Sequence, residues 1–221
     1  MTDMVIMPGS HYQAICDAVR AKTGDTAALK SGELAAAIGS ISGGGENTIV
    51  PFIENTITTF SNEELTVISP YGFAGKTKLQ SLYIPNVATV GGNAFESCES
   101  LTEIHFEKHI SIGTGTGGYF FFRGASNARK IEFNGGFSFI GSSTYAFYNL
   151  NNLEALIIRG DDVSNLNNTA NFNGSSIEKG TGYIYVPAAL VEEYKAATNW
   201  VKFSEQFRAI EDYPEITGGA V

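Results

Sequence analysis

Apolar residues recur along this chain on two length scales at once. Five phenylalanines, Phe73, Phe95, Phe122, Phe147 and Phe172, follow one another at gaps of 22, 27, 25 and 25 residues. Around Phe73, further apolar side chains stand at −5 (Ile68), +6 (Leu79), +9 (Leu82) and +11 (Ile84), and around Phe95 the same offsets hold Val90, Leu101, Ile104 and Phe106. The third unit keeps Phe122, Ala128, Ile131 and Phe133. The fourth keeps Phe147, Leu153, Leu156 and Ile158, with Ile140 displaced by two residues from the −5 place. In the fifth, Phe172 is followed by Ile184 and Val186 at +12 and +14, a degraded end unit of the kind that closes a stack.

The short scale gives the element. Positions +9 and +11 differ by two, so their side chains leave the same face of a strand. The long scale gives the architecture. A period of 20–50 residues predicts stacked coils, none of which buries its apolar face alone. The predicted fold is a β-rich repeat solenoid with short helices or turns, of leucine-rich repeat type, in which the phenylalanine and the +6 residue bring a turn down onto the inner strand face.

Outside the repeats the pattern changes. Tyr12, Ile15, Cys16 and Val19 lie at helical spacing, Ser10 and Gln13 have the spacing of a capping box, and Leu34, Ala37, Ile38 and Ile41 form a second short stripe. Ser42 to Asn47 is a glycine-rich joint, and Asn47 to Thr66 reads as strand material covering the first edge of the stack. Pro187 opens a helix whose apolar face is Leu190, Val191 and Tyr194, and Trp200, Phe203, Phe207 and Ile210 continue the apolar pattern. The expected organisation is a small N-terminal helical module over 1–41, the joint at 42–47, the repeat region over 48–213 with a C-terminal helical cap from 187, and a tail from 214 to 221.

The phrase Leu79-x-x-Leu82-x-Ile84-Pro85-x-Val87-x-x-Val90-Gly91-x-x-Ala94-Phe95-x-x-Cys98-x-x-Leu101 resembles the BspA-type leucine-rich repeat, over roughly Ile68 to Val186. The resemblance implies a module that binds other molecules, of a kind found on bacterial surface proteins and in phage proteins, with no catalytic residues and no cofactor. A second phrase, Tyr12-x-x-Ile15-x-x-Ala18-Val19-Arg20-x-Lys22-Thr23-Gly24 with Leu34 to Ile38, is similar to the opening segment of many phage tail and baseplate proteins. That resemblance makes Tyr12, Ile15, Val19, Leu34 and Ile38 expected virion-attachment residues.

Composition narrows the partners. The net charge of −9 and the lack of a basic stripe argue against nucleic acid. No stretch approaches the ~20 apolar residues of a membrane span. The first residues, lacking a basic start, are not expected to be a signal peptide. Cys16 and Cys98 stand in unrelated contexts and are expected as free thiols.

Short matches to enzymatic motifs lack their context. Gly113 to Gly118 fits a dinucleotide fingerprint but lies in an insertion, and Gly75-Lys76-Thr77 lacks the earlier glycine of a phosphate loop. His105 and His109 are read as solvated, without a third metal ligand, and Asp161-Asp162 as a solvated turn. No enzymatic activity is expected.

The residues between the inward positions point outward. They are Tyr83, His105, Glu132, Ile157 and Tyr185, and two places earlier Ser81, Glu103, Lys130, Ala155 and Tyr183. At 4.7–4.9 Å per strand they form a ladder roughly 20 Å long, one candidate binding surface. The run Tyr119, Phe120, Phe121 is a second, because Phe122 is taken by the repeat. The expectation is a phage structural protein of the tail or baseplate periphery, located on the virion. It joins other virion proteins through its N-terminal module, binds a host-surface protein or glycan, and forms a homo-oligomer. A bacterial surface binding protein and a virion decoration protein remain open beside it.

Overall fold

The computed structural model describes residues 55–114, 120–140 and 145–218. The expected attachment residues Tyr12, Ile15, Val19, Leu34 and Ile38, together with Cys16, Tyr119 and the glycine-rich joint, lie outside the described residues.

Each of the first four coils contributes one strand to either side of the stack, the later coils to one side only, and every pairing among the described strands is parallel. The larger ladder holds β5 (Glu103–Phe106), β7 (Lys130–Phe133), β9 (Ala155–Ile158), β10 (Tyr183–Val186) and β11 (Phe207–Ala209), in that spatial order. The earlier β1 (Thr59–Ser61) and β3 (Ser81–Tyr83) form a separate pair with the same inward phase, Phe60 opposite Leu82. The second ladder is β2 (Val67–Ile68), β4 (Thr89–Gly91), β6 (Ile110–Thr114) and β8 (Phe137–Phe139).

Register follows from the period-two pattern, because a slip by one residue would turn the apolar set to solvent. Ile104 stands opposite Ile131, Ile131 opposite Leu156 and Leu156 opposite Ile184; Phe106 stands opposite Phe133, and Phe133 opposite Ile158. All of these are buried. In the second ladder Ile68 pairs with Val90, Val90 with Ile112, and Ile112 with Phe139. This corrects two readings of the sequence. The fourth unit's member of that column is Phe139, and Ile140 is 48 % exposed. Gly113 and Thr114 belong to a strand, β6, that pairs with the preceding coil, not to an insertion.

Between the ladders runs the phenylalanine column. Successive rings from Phe73 through Phe95, Phe122 and Phe147 to Phe172 are stacked, with centroids 5.5, 5.4, 6.0 and 4.9 Å apart. Their backbones are tied from coil to coil as well. The amides of Phe73, Phe95, Phe122 and Phe147 donate to the carbonyls of Ala94, Phe121, Ala146 and Asn171. Two residues after each phenylalanine the chain takes a positive φ, at Gly75, Ser97, Gly124, Asn149 and Gly174. Gly and Asn tolerate that conformation best, which accounts for every one of these positions but Ser97.

The stack closes on aromatic rings. A short α1 (Val191–Ala196) and a 3-10 segment (Trp200–Gln206) set Tyr194, Trp200 and Phe203 on the last coil, Phe203 edge-on to Phe172 at 4.9 Å. Ser164 fastens this cap. Its amide donates to the Tyr194 hydroxyl at 2.8 Å, and its carbonyl accepts from Trp200 Nε1 at 2.7 Å. After β11 the chain turns over the outer face of the larger ladder and ends in α2 (Pro214–Thr217).

Candidate functional site

Two surfaces carry the residues singled out by the sequence. The outward column of the larger ladder is in register: His105 faces Glu132, Glu132 faces Ile157, and Ile157 faces Tyr185. Glu103, Lys130, Ala155 and Tyr183 form the neighbouring column.

Only part of this ladder is open. Ala155, Ile157, Tyr185 and Ile210 form a second buried cluster, with Tyr183 and Tyr213 packed against it. Tyr185 meets Tyr213 edge-on at 5.5 Å, and the Arg208 guanidinium lies 4.3 Å from the centre of the Tyr183 ring. Ile157 and Tyr185 are therefore covered by the C-terminal segment. An apolar outward residue at two successive positions is itself the signal that something packs there. Ser81, Tyr83 and Glu103 remain exposed, with Tyr83 at 53 %, while His105 and Lys130 are half-buried.

At the border of the covered region sits an ionic network. The Glu132 carboxylate accepts from Arg159 Nε at 2.6 Å and lies 3.2 Å from His105 Nδ1. His105 Nε2 meets Glu107 at 2.9 Å, and Asn134 donates to Glu107 at 2.8 Å. The Arg159 guanidinium also donates to the Thr217 carbonyl, which ties the C-terminal turn to the ladder. The hydrogen bond to Glu132 raises the His105 pKa above its ordinary value against the opposing effect of burial. Burial alone would raise Glu132, but its bonds and charge attraction to His105 and Arg159 outweigh this and hold the carboxyl below its ordinary value.

Neither histidine is simply solvated, which corrects the reading from sequence. His109 has Nδ1 3.0 Å from the Gly135 carbonyl and Nε2 3.0 Å from the Ser138 hydroxyl of the next coil. Asp161 and Asp162 are exposed. Among the described residues no group of three or more His, Cys, Asp and Glu is placed to hold a metal. Cys98 is buried, its thiol 3.1 Å from the Phe73 carbonyl, and burial pushes its pKa up to about 12, which leaves it inert as a nucleophile.

The second surface is a groove on the turns that carry the phenylalanine column. Phe121 is buried in the core, whereas Phe120 lies half-buried in the groove wall. The Phe120 ring stacks on Tyr145 at 5.0 Å and meets Tyr148 edge-on at 5.6 Å. The Arg123 guanidinium sits 4.9 Å from the Phe120 ring centre. With Asn149 and Asn173 these side chains line about 630 Å³ of open cavity.

The groove is held from beneath. The Phe120 amide donates to Asn93 Oδ1 at 3.2 Å, Asn93 Nδ2 donates to Glu96 at 2.8 Å, and the other Glu96 oxygen lies 3.6 Å from Arg123. Tyr145, Tyr148, Asn149 and Asn173 make no side-chain hydrogen bond among the described residues, so their polar groups are free to meet a ligand.

Sequence reasoning found Phe120 but missed the rest, although the repeat contains the signal. Phe120 and Tyr145 both stand two residues before a column phenylalanine, where Tyr71 and Asn93 stand in earlier coils. Arg123, Tyr148 and Asn173 all stand one residue after it. Reading the polar columns with the same period as the apolar ones would have assembled the groove.

Comparison with known families adds one finding. Residues 52–178, more than half the chain, match the BspA type leucine rich repeat region in six copies. The phenylalanine column has five members; β1, in register with β3, belongs to a coil that precedes Phe73. A search of curated proteins found no match.

Proposed function

Because the chain belongs to the BspA-type leucine-rich repeat family, we propose that it is a non-catalytic binding module, a repeat solenoid that holds a partner at its turn-face groove. The observation that carries this reading is the convergence of half-buried aromatic rings and unpaired polar groups from three successive coils on one cavity. Aromatic side chains supply contact area at little entropic cost, and a site braced by Asn93 and Glu96 arrives already ordered. The exposed ladder residues Ser81, Tyr83 and Glu103 are a second contact area of the same module.

The setting proposed for this module is a phage virion. There residues 1–41, similar to phage tail openings, join it to other virion proteins, and several copies raise a weak single contact to useful avidity. The partner is then a component of a bacterial surface.

Binding of the fluorescently labelled full chain to a panel of intact bacterial cells tests the reading. The expected result is saturable binding that falls at least tenfold in the double variant Tyr148→Ala, Asn173→Ala, whose circular dichroism stays unchanged. Binding that is indifferent to these changes removes the groove from the account. Cryo-microscopy of particles that show no density for the chain removes the virion setting and leaves the module.

A further inference from the structure

We infer that the groove formed by Phe120, Arg123, Tyr145, Tyr148, Asn149 and Asn173 is a site for a neutral saccharide. This inference rests on the binding reading above and names its ligand class. A pyranose has an apolar C–H face and a rim of hydroxyls that both donate and accept. The groove offers the matching pair. Tyr145, Tyr148 and Phe120 present ring surface at mutual centroid distances of 5.0 to 5.6 Å. The free Tyr hydroxyls and the Asn149 and Asn173 amides, each able to donate and accept, border that ring surface.

Charge and shape exclude the competing classes. Arg123 is the cation of the groove, and it is already 3.6 Å from Glu96 and lies over Phe120. Glu96 offsets part of its charge, and a chain of net charge −9 gives little attraction to a phosphate or an acidic sugar. An aliphatic peptide side chain would cover the two tyrosine hydroxyls and two amides without pairing them, which is costly. The groove, about 630 Å³ and open to solvent, leaves room for a short oligosaccharide to lie along it.

The site also extends along the stack. Asn173, Tyr148 and Arg123 stand at equivalent places in successive coils, so neighbouring sugar units of one glycan would meet successive members of the same column.

The test is a glycan array probed with the full chain, followed by isothermal titration calorimetry on the strongest neutral oligosaccharide. Wild type is expected to bind neutral glycans in preference to sialylated or phosphorylated ones. Tyr148→Ala and Asn173→Ala are each expected to weaken binding at least tenfold, and Tyr148→Phe, which keeps the ring, less than Tyr148→Ala. Glu64→Ala, exposed on the first coil and outside both surfaces, is expected to bind as wild type. Equal thermal melting of all four variants separates a site effect from misfolding. No glycan bound by wild type, preference for acidic glycans, or binding unaffected by Tyr148→Ala and Asn173→Ala overturns the inference. Periodate treatment of the cells separates it from the parent reading. Groove-dependent cell binding that survives periodate but not protease keeps the groove and discards the sugar; groove-independent cell binding discards both.

Discussion

At the scale of single residues, the phenylalanine column is where stability concentrates. Phe95 touches more of the stack than a pairwise ladder requires, lying parallel to Phe73 and Phe122 and edge-on to Phe121. Each such ring contact adds about 0.5–1.5 kcal/mol beyond area burial. Phe95→Ala should therefore cost about 3–5 kcal/mol, read as a lowered urea midpoint, and a loss below about 1 kcal/mol would mean that the column is not continuous. Gly91 is fixed for a different reason. A Cβ there would collide with the backbone nitrogen of Pro70 in the preceding coil, so the closeness of two turns, not local conformation, selects glycine.

At the scale of elements, the larger ladder carries opposite chemistry on its two faces. The inward face is uniformly apolar and was legible from spacing alone. The outward face changes along the stack, from open and polar at β3 and β5 to buried at β9 and β10, and the Arg159–Glu132–His105 network stands at the change. Its pH dependence follows from the two shifts. His105 is raised in the folded chain, so its contribution is full below its unfolded value and fades as pH rises through the folded one. Glu132 is lowered, so its contribution is full above its unfolded value and fades as pH falls through the folded one. Stability should decline on both sides of a plateau, at the acid end as Glu132 protonates and at the neutral end as His105 loses its proton. Glu132→Ala leaves the half-buried Arg159 with the Thr217 carbonyl but without its carboxylate, and should cost somewhat less than the ~3–5 kcal/mol of a fully buried broken pair near neutral pH. Urea midpoints measured across pH should show both declines in the wild type and, in the variant, no acid decline from Glu132 and a smaller neutral one, since Glu107 still faces His105; identical profiles would assign the network no role.

At the scale of the whole molecule, the C-terminal segment does two jobs. β11 extends the larger ladder by one strand, and the chain after it lies over Ala155, Ile157 and Tyr185. Truncation after Ala209 removes the Thr217 carbonyl that Arg159 engages and uncovers those side chains. The shortened chain should bind a hydrophobic dye and melt at a lower temperature, whereas a dye-silent, equally stable truncation would show that the segment is not part of the fold. The same covering explains why the ladder and the groove differ as candidate sites. The covered half of the ladder is apolar because it packs, and the groove is aromatic but still half-open.

The sequence by itself determined the repeat, the inward columns and their register, because burial demands apolar side chains at fixed offsets and the chain records them at every turn. It left the groove unread because a binding column carries no shared hydropathy: Tyr71, Asn93, Phe120, Tyr145 and Ala170 share a position but not a chemistry. Apolar Ile157 on the outward face signals that something packs there, but what covers it was decided by tertiary structure. Nothing local in Ile210 to Thr217 specifies that it docks on β9 and β10, since the apolar face it covers exists only after those strands have assembled side by side.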